Sequence, residues 1–176
     1  MGTESLLTAA GLRLRALEPD DADILYIWEN DSSLWPYGNT MAPVSLNQLR
    51  TYIRNYTGTP LADGELRMMI EDCESGRPLG CVDLTDIDAR DLHARVGIFV
   101  AVKERHQGVA SVALRLIINY ARTYLNLHQL IALVGTDNEY SHALFRRTGF
   151  KSCGNLRSYV RQGKHYSDVL IYQKLF

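Results

Sequence analysis

Leu12, Leu14 and Ala16 alternate with Arg13, Arg15 and Leu17, the period of a first strand. Pro19-Asp20-Asp21 then opens a helix with Ile24, Leu25 and Trp28 on one stripe. Ser32 to Pro43 is rich in turn residues and reads as a loop. Ser45 suits the N-cap of a second helix, along which Leu46, Leu49, Ile53 and Tyr56 recur at helical spacing. Thr57-Gly58-Thr59-Pro60 and Asp63-Gly64 end it, and the period then shortens to that of strands. Leu66 to Cys73 and Leu79 to Ile87 form a hairpin across Glu74-Ser75-Gly76-Arg77-Pro78, and Ala94 to Val102, nearly all apolar, is a central strand.

Val109 to Asn126 carries the longest helical signal, with Val109, Val112, Ala113, Leu116, Ile117, Tyr120 and Tyr124 on one stripe. Gln129 to Val134 is a further strand, and Asn138 to Thr148 a short helix closed by Gly149. Arg157 to Arg161 pairs with Tyr166 to Leu175 across Gln162-Gly163-Lys164. The order β-α-α-β-β-β-α-β-α-β-β predicts one α+β domain over residues 1–176 with a mixed sheet, the first ten residues loosely attached.

Composition narrows the functions. A chain of 176 residues can bury a sizeable core without disulfides or metal. Nineteen basic residues against twenty acidic ones leave a net charge of −1, which disfavours nucleic acid as the main partner. Cys73, Cys81 and Cys153 form no C-x-x-C pair, and the histidines show no H-x-x-H spacing, so no zinc site or other metal is expected. Odd cysteines, an acidic first turn of chain and no run of eighteen apolar residues predict a cytoplasmic protein that neither spans nor binds a membrane.

Chemistry concentrates after the central strand, in Val100-Ala101-Val102-Lys103-Glu104-Arg105-His106-Gln107-Gly108-Val109-Ala110-Ser111. A buried strand ends, a short loop follows, and a long helix begins near Gly108. The first turn of that helix has backbone N–H groups without internal partners, at the positive end of the helix dipole. Gly108 and Ala110 leave room for close approach, so the loop can hold a pyrophosphate through main-chain donors, with Arg105 adding charge. The same pattern also fits an ordinary strand-to-helix turn. No Gly-Lys-Ser/Thr follows and no G-x-G-x-x-G is present, which excludes a Walker loop and a dinucleotide fingerprint.

Arg105-x-x-Gly108-x-Ala110 after an apolar strand resembles the [Q/R]-x-x-G-x-[G/A] motif of the GCN5-related N-acetyltransferases, the GNAT superfamily. Asn138-Glu139-Tyr140-Ser141 followed by Leu144-Phe145 and Gly149-Phe150 is similar to that superfamily's second motif, at the usual distance. Within it the chain looks most like the branch of ribosomal-protein N-terminal and spermidine acetyltransferases. The resemblance implies a single domain with a mostly antiparallel sheet flanked by helices, using acetyl-CoA as co-substrate. Ile98, Phe99 and Val100 would then offer backbone groups to the pantetheine arm. Arg105, His106, Gln107, Gly108, Val109, Ala110 and Ser111 would cradle the pyrophosphate. Asn138 and Ser141 would approach the thioester end, with Phe145 near the sulfur. A homodimer is common among such proteins.

The implied reaction is acetyl transfer from acetyl-CoA to a primary amine: a small amine, a polyamine or a protein N-terminus. The amine, with a pKa of about 10, must lose a proton before it attacks the thioester. Two residues depart from the family's pattern. Phe145 replaces a Tyr that commonly donates a proton to the leaving thiolate, and Arg95 stands where many relatives have Glu. Ser141, or alternatively Tyr140, is the expected donor. Asp83, interrupting an apolar strand, is the expected base, and Asp83 or Asp86 is expected to touch the acceptor. Glu29, Trp35 and Tyr37 fall where the family builds its acceptor wall. The alternative is a degenerate member that binds CoA as a sensor or partner without turnover.

Overall fold

The computed structural model describes residues 5–35 and 41–176, which divide into two compact units. One unit takes the chain up to Arg15 and from Thr59 onward, the other Ala16–Gly58.

The larger unit is built on a sheet of β1 (Thr8–Ala9), β2 (Leu12–Arg15), β3 (Leu66–Asp72), β4 (Pro78–Asp88), β5 (His93–Val100), β6 (Gln129–Gly135), β7 (Lys151–Gln162) and β8 (His165–Leu175). Their order across the sheet is β1-β2-β3-β4-β5-β6-β8-β7, and only β5 and β6 run parallel. The mixed, mostly antiparallel α+β architecture agrees with the sequence reading. Within the sheet, the differences concern the start of the chain and the last hairpin. Thr8 and Ala9, within the stretch expected to be loosely attached, pair with Arg13 and Leu12. β7 begins at Lys151, upstream of the expected Arg157, because β8 offers a continuous partner that its polar sequence does not announce.

Strand alternation sorts the sheet into two faces. Leu66, Met68, Val82, Leu84, Val96 and Leu130 belong to one core with Val109, Ala113, Leu116 and Ile117 of the helix Val109–Thr123. That helix buries a broader front than its predicted stripe: Leu114, Ile118 and Ala121 are also buried, while Tyr124 is exposed. Arg67, Asp83, Gly97 and Arg95 alternate with the core residues and so lie on the opposite face of the sheet.

The smaller unit holds helices α1 (Asp21–Glu29) and α2 (Leu46–Asn55). Ser45 caps α2 in a reciprocal box: its hydroxyl accepts from the Gln48 amide and the Gln48 side chain accepts from the Ser45 amide. The Asn30 side chain bonds both the N–H and the C=O of Val44, at 2.9 Å each, and so ties the two ends of the intervening segment together. A short helix α3 (Pro60–Asp63) begins the return to the larger unit, with Pro60 in its first turn and Gly64 left-handed at its end. The remaining helices are α4 (Val109–Thr123) and α5 (Glu139–Arg147). No helix among the described residues is long and apolar enough to cross a membrane.

Candidate active site

The sheet opens in the middle. β5 and β6 pair only through His93–Gln129, Ala94–Leu130 and Arg95–Ile131. Beyond Arg95, β5 continues along β4 to Val100, and β6 continues along β8 to Gly135. The two central strands therefore separate, and the side of β5 that faces β6 is no longer laddered to it. Gly80 fixes where β5 goes. A Cβ at Gly80 would lie 3.0 Å from Val100 Cα and closer still to the Phe99 carbonyl oxygen, so only glycine lets β4 hold the end of β5 this tightly. Ile98, Phe99 and Val100 thus line the opening from a fixed position.

The segment after β5 leads directly to the start of α4. Ala101 donates its N–H to Leu79 O at 2.9 Å, and Val102–Glu104 makes one 3-10 turn. His106 and Gly108 then adopt left-handed backbone angles, φ 62° and 83°. Gly108 is the N-cap of α4 and offers no side-chain acceptor to the first turn. A Cβ there would meet nothing within 4 Å, so the backbone angle, not crowding, selects glycine. The loop is braced by its own side chains: Arg105 Nε donates to Val100 O and Gln107 Nε2 to Lys103 O, each at 3.1 Å. Arg105, His106, Gln107 and Gly108 are exposed, Ala110 and Ser111 half-buried. Val109 sends its side chain into the core, leaving its main chain at the loop.

The second motif meets the first here. His106 and Tyr140 contact edge-on with ring centroids 5.1 Å apart. Asn138 is the N-cap of α5, its side-chain oxygen accepting from the Ser141 N–H at 3.1 Å. Tyr140 is 76% exposed, whereas Ser141 is half-buried. Phe145 is buried against Phe150 and Tyr172, with centroids 5.1 and 6.3 Å away. His142, also buried, shares a 3.0 Å hydrogen bond between its Nδ1 and the Tyr172 hydroxyl.

The acidic residues are already engaged. Arg67 stands directly across β3 and β4 from Asp83 and donates from Nε and Nη2 to its two oxygens at 2.7 and 3.0 Å. Asp86, at φ 50° where the ladder slips, pairs with Arg95 Nη1 at 2.9 Å. Arg95 therefore holds an acid of the neighbouring strand. Asp88, Asp91 and His93 bring ligand atoms within 4.8 Å of one another, but the Asp88 carboxylate accepts the Arg90 and Asp91 amides, the bonding of a turn. In the smaller unit, Trp35 Nε1 donates to Glu29 O at 2.9 Å, and Tyr37 lies outside the described residues.

Sequence reasoning missed Glu104 and Arg77. Glu104 is only 9% exposed, and its carboxylate receives both Nη1 and Nη2 of Arg77 from the β3–β4 turn. An acid in the short segment between β5 and α4 was the available signal; its partner is distant in sequence.

Residues 11–151 match the family model described as an acetyltransferase (GNAT) domain. The chain is 28% identical over 164 residues to an uncharacterized N-acetyltransferase, p20, of Bacillus licheniformis, covering 93% of this chain and 92% of that one. It is 26% identical to spermidine N(1)-acetyltransferase of Escherichia coli K12, over 85% of this chain and 77% of the relative. Among solved structures, spermidine N-acetyltransferase from Vibrio cholerae in complex with CoA and spermine superposes with a TM-score of 0.83 at 25% identity, covering 95% and 96% of the two chains.

Proposed function

The chain belongs to the GNAT acetyltransferase family, and from that premise we propose that it transfers the acetyl group of acetyl-CoA to a primary amine by direct attack. One observation carries this reading: the β5–β6 separation opens beside a braced loop whose glycine-capped helix has no side chain capping its first turn. Main-chain donors of residues 105–111 bind the pyrophosphate, with Arg105 adding charge. The pantetheine arm runs along Ile98–Val100 as an added strand would. The likeness to a structure holding CoA and spermine supports both the donor and an amine acceptor.

Acetyl-CoA supplies an activated acyl group as its thioester. The nitrogen lone pair attacks the carbonyl carbon, the C–N bond forms, the C–S bond breaks, and the ammonium proton is shed. Amides at the end of β5 are the donors nearest the developing oxyanion. Asp83 lies on the sheet face opposite α4, where an arm threaded through the opening emerges. A carboxylate has about four lone-pair sites, so Arg67 leaves two for water or an ammonium while occupying one on each oxygen. Asp83 orients the acceptor and takes its proton inefficiently; most of the acceleration comes from positioning. Ser141, half-buried at the start of α5, offers a hydroxyl hydrogen bond to the departing thiolate, which takes its proton from water; Phe145 has no such donor.

A second reading, a CoA-binding sensor without turnover, is favoured by that phenylalanine and by the pairing of both acids. Amine-dependent release of free thiol from acetyl-CoA, measured over a panel of mono- and polyamines, decides between them. Release with at least one amine is expected; tight CoA binding with no release establishes the sensor.

A further inference from the structure

We propose that Arg77, in the turn between β3 and β4, is a positioning residue for phosphate binding: its bidentate pair with the buried Glu104 neutralises an acid that would otherwise repel the coenzyme. The inference rests on the coenzyme site proposed above and adds a residue from outside both motifs.

Glu104 is the last residue of the 3-10 turn and immediately precedes Arg105. Its carboxylate is almost entirely withdrawn from water. A charge so placed is poorly screened by solvent, and its field reaches the neighbouring amides that would hold phosphate oxygens. Unpaired, it opposes the positive end of α4. With both oxygens on the Arg77 guanidinium, Nη2 to Oε2 at 3.3 Å, the pair is neutral overall. The same contact fastens the loop from outside. Leu79 O holds Ala101 at one end of the turn, and Arg77 holds Glu104 at the other. The left-handed angles of His106 and Gly108 follow directly, so the aim of the first-turn amides depends on where that turn is fixed.

A purely structural brace and an electrostatic one differ in what they do to ligands with and without phosphate. The test uses the whole chain with Arg77→Met, Glu104→Gln and the two combined, titrated with CoA by calorimetry. S-acetylpantetheine serves as a phosphate-free donor, compared by kcat/KM. Arg77→Met is expected to weaken CoA about tenfold, leave kcat/KM for S-acetylpantetheine within about twofold, and regain most of its CoA affinity when Glu104→Gln is added. If Arg77→Met does not fold, Glu104→Gln alone carries the test: CoA affinity equal to or tighter than wild type supports the proposal, and a clear loss overturns it. Unchanged CoA affinity in folded Arg77→Met, equal losses for both donors, or no recovery in the double variant also overturn it. A wild-type chain that binds no CoA removes the coenzyme site and this inference with it; wild-type binding with an unaffected Arg77→Met removes this inference alone.

Discussion

Arg67 and Asp83 face each other across the β3–β4 ladder, and the guanidinium engages both carboxylate oxygens at 2.7 and 3.0 Å. An acid that stands alone in an apolar strand of the sequence is thus one half of a bidentate pair in the fold. Both side chains are half-buried, which makes the pair worth more than a surface contact.

This pairing shapes the expected pH dependence. If Asp83 is a poor base, kcat/KM for a primary amine rises with pH through 8 and 9, toward the amine's own pKa of about 10. Asp83→Asn lowers turnover about tenfold, less than the roughly hundredfold or more that an efficient acid–base group supplies, and leaves CoA affinity unchanged. A plateau near neutral pH, with a far larger loss in Asp83→Asn, identifies an efficient base and contradicts the assignment.

Gly108 separates backbone strain from ligand approach. Gly108→Ala places a side chain at φ 83° in open space and costs about 1 kcal/mol of stability, with a modest effect on CoA. Gly108→Val adds a branched side chain where phosphate would meet the main chain, and CoA affinity falls tenfold or more, on the order of 1.4 kcal/mol. Denaturant melts and CoA titrations of the two variants check both halves; equal affinities in folded Ala and Val variants contradict the pocket.

Gly80 is limited by contact instead. An added methyl meets the Phe99 carbonyl and Val100 Cα, so β4 and β5 must part. Gly80→Ala is expected to cost about 2 kcal/mol, lowering Tm by roughly 6 °C. It should also weaken CoA, since β5 lines the opening. A thermal melt matching wild type removes the argument that Gly80 sets the position of β5.

Glu71 gives the fold an acid-sensitive element. Burial pushes its carboxyl pKa up, but hydrogen bonds and charge from Arg15 and Arg13 more than offset this and hold it below the usual range. A depressed folded-state pKa means stability that is present above the ordinary carboxylate value and lost as pH falls through the folded one. The stability difference between wild type and Glu71→Gln should therefore be constant near neutrality and shrink below about pH 4. Urea melts from pH 3 to 7 measure it, and a difference independent of pH contradicts the sign.

What could be read in the sequence was what is local. The helical period of α4, the N-cap at Ser45 and the strand period of β3 and β4 each fit within a few turns or one strand, and these elements are found where expected. The short helix α3 escaped because Pro60 and Gly64, read as breakers, are also the residues that start and stop a helix. The first half of β7 escaped because Ser152, Gly154 and Asn155 carry little strand preference and are recruited by β8. The same division holds at the site. The loop to Gly108 and the start of a helix at Asn138 were legible; Arg77–Glu104 was not, because its partners meet only through the fold. Arg67–Asp83 lay between these cases. Both residues belong to one hairpin, which its turn announces, but the register shift between Ile70 and Glu71 decides which residue of β4 faces Arg67.

The central claim is that the β5–β6 opening and the loop before α4 hold the coenzyme, and a crystal structure of the chain with bound CoA tests it most directly. The pyrophosphate should accept hydrogen bonds, at about 2.7–3.2 Å, from main-chain amides between Gln107 and Ser111, with the pantetheine arm beside Ile98–Val100. A coenzyme bound elsewhere, or an opening closed by the protein's own side chains with no coenzyme admitted, contradicts it.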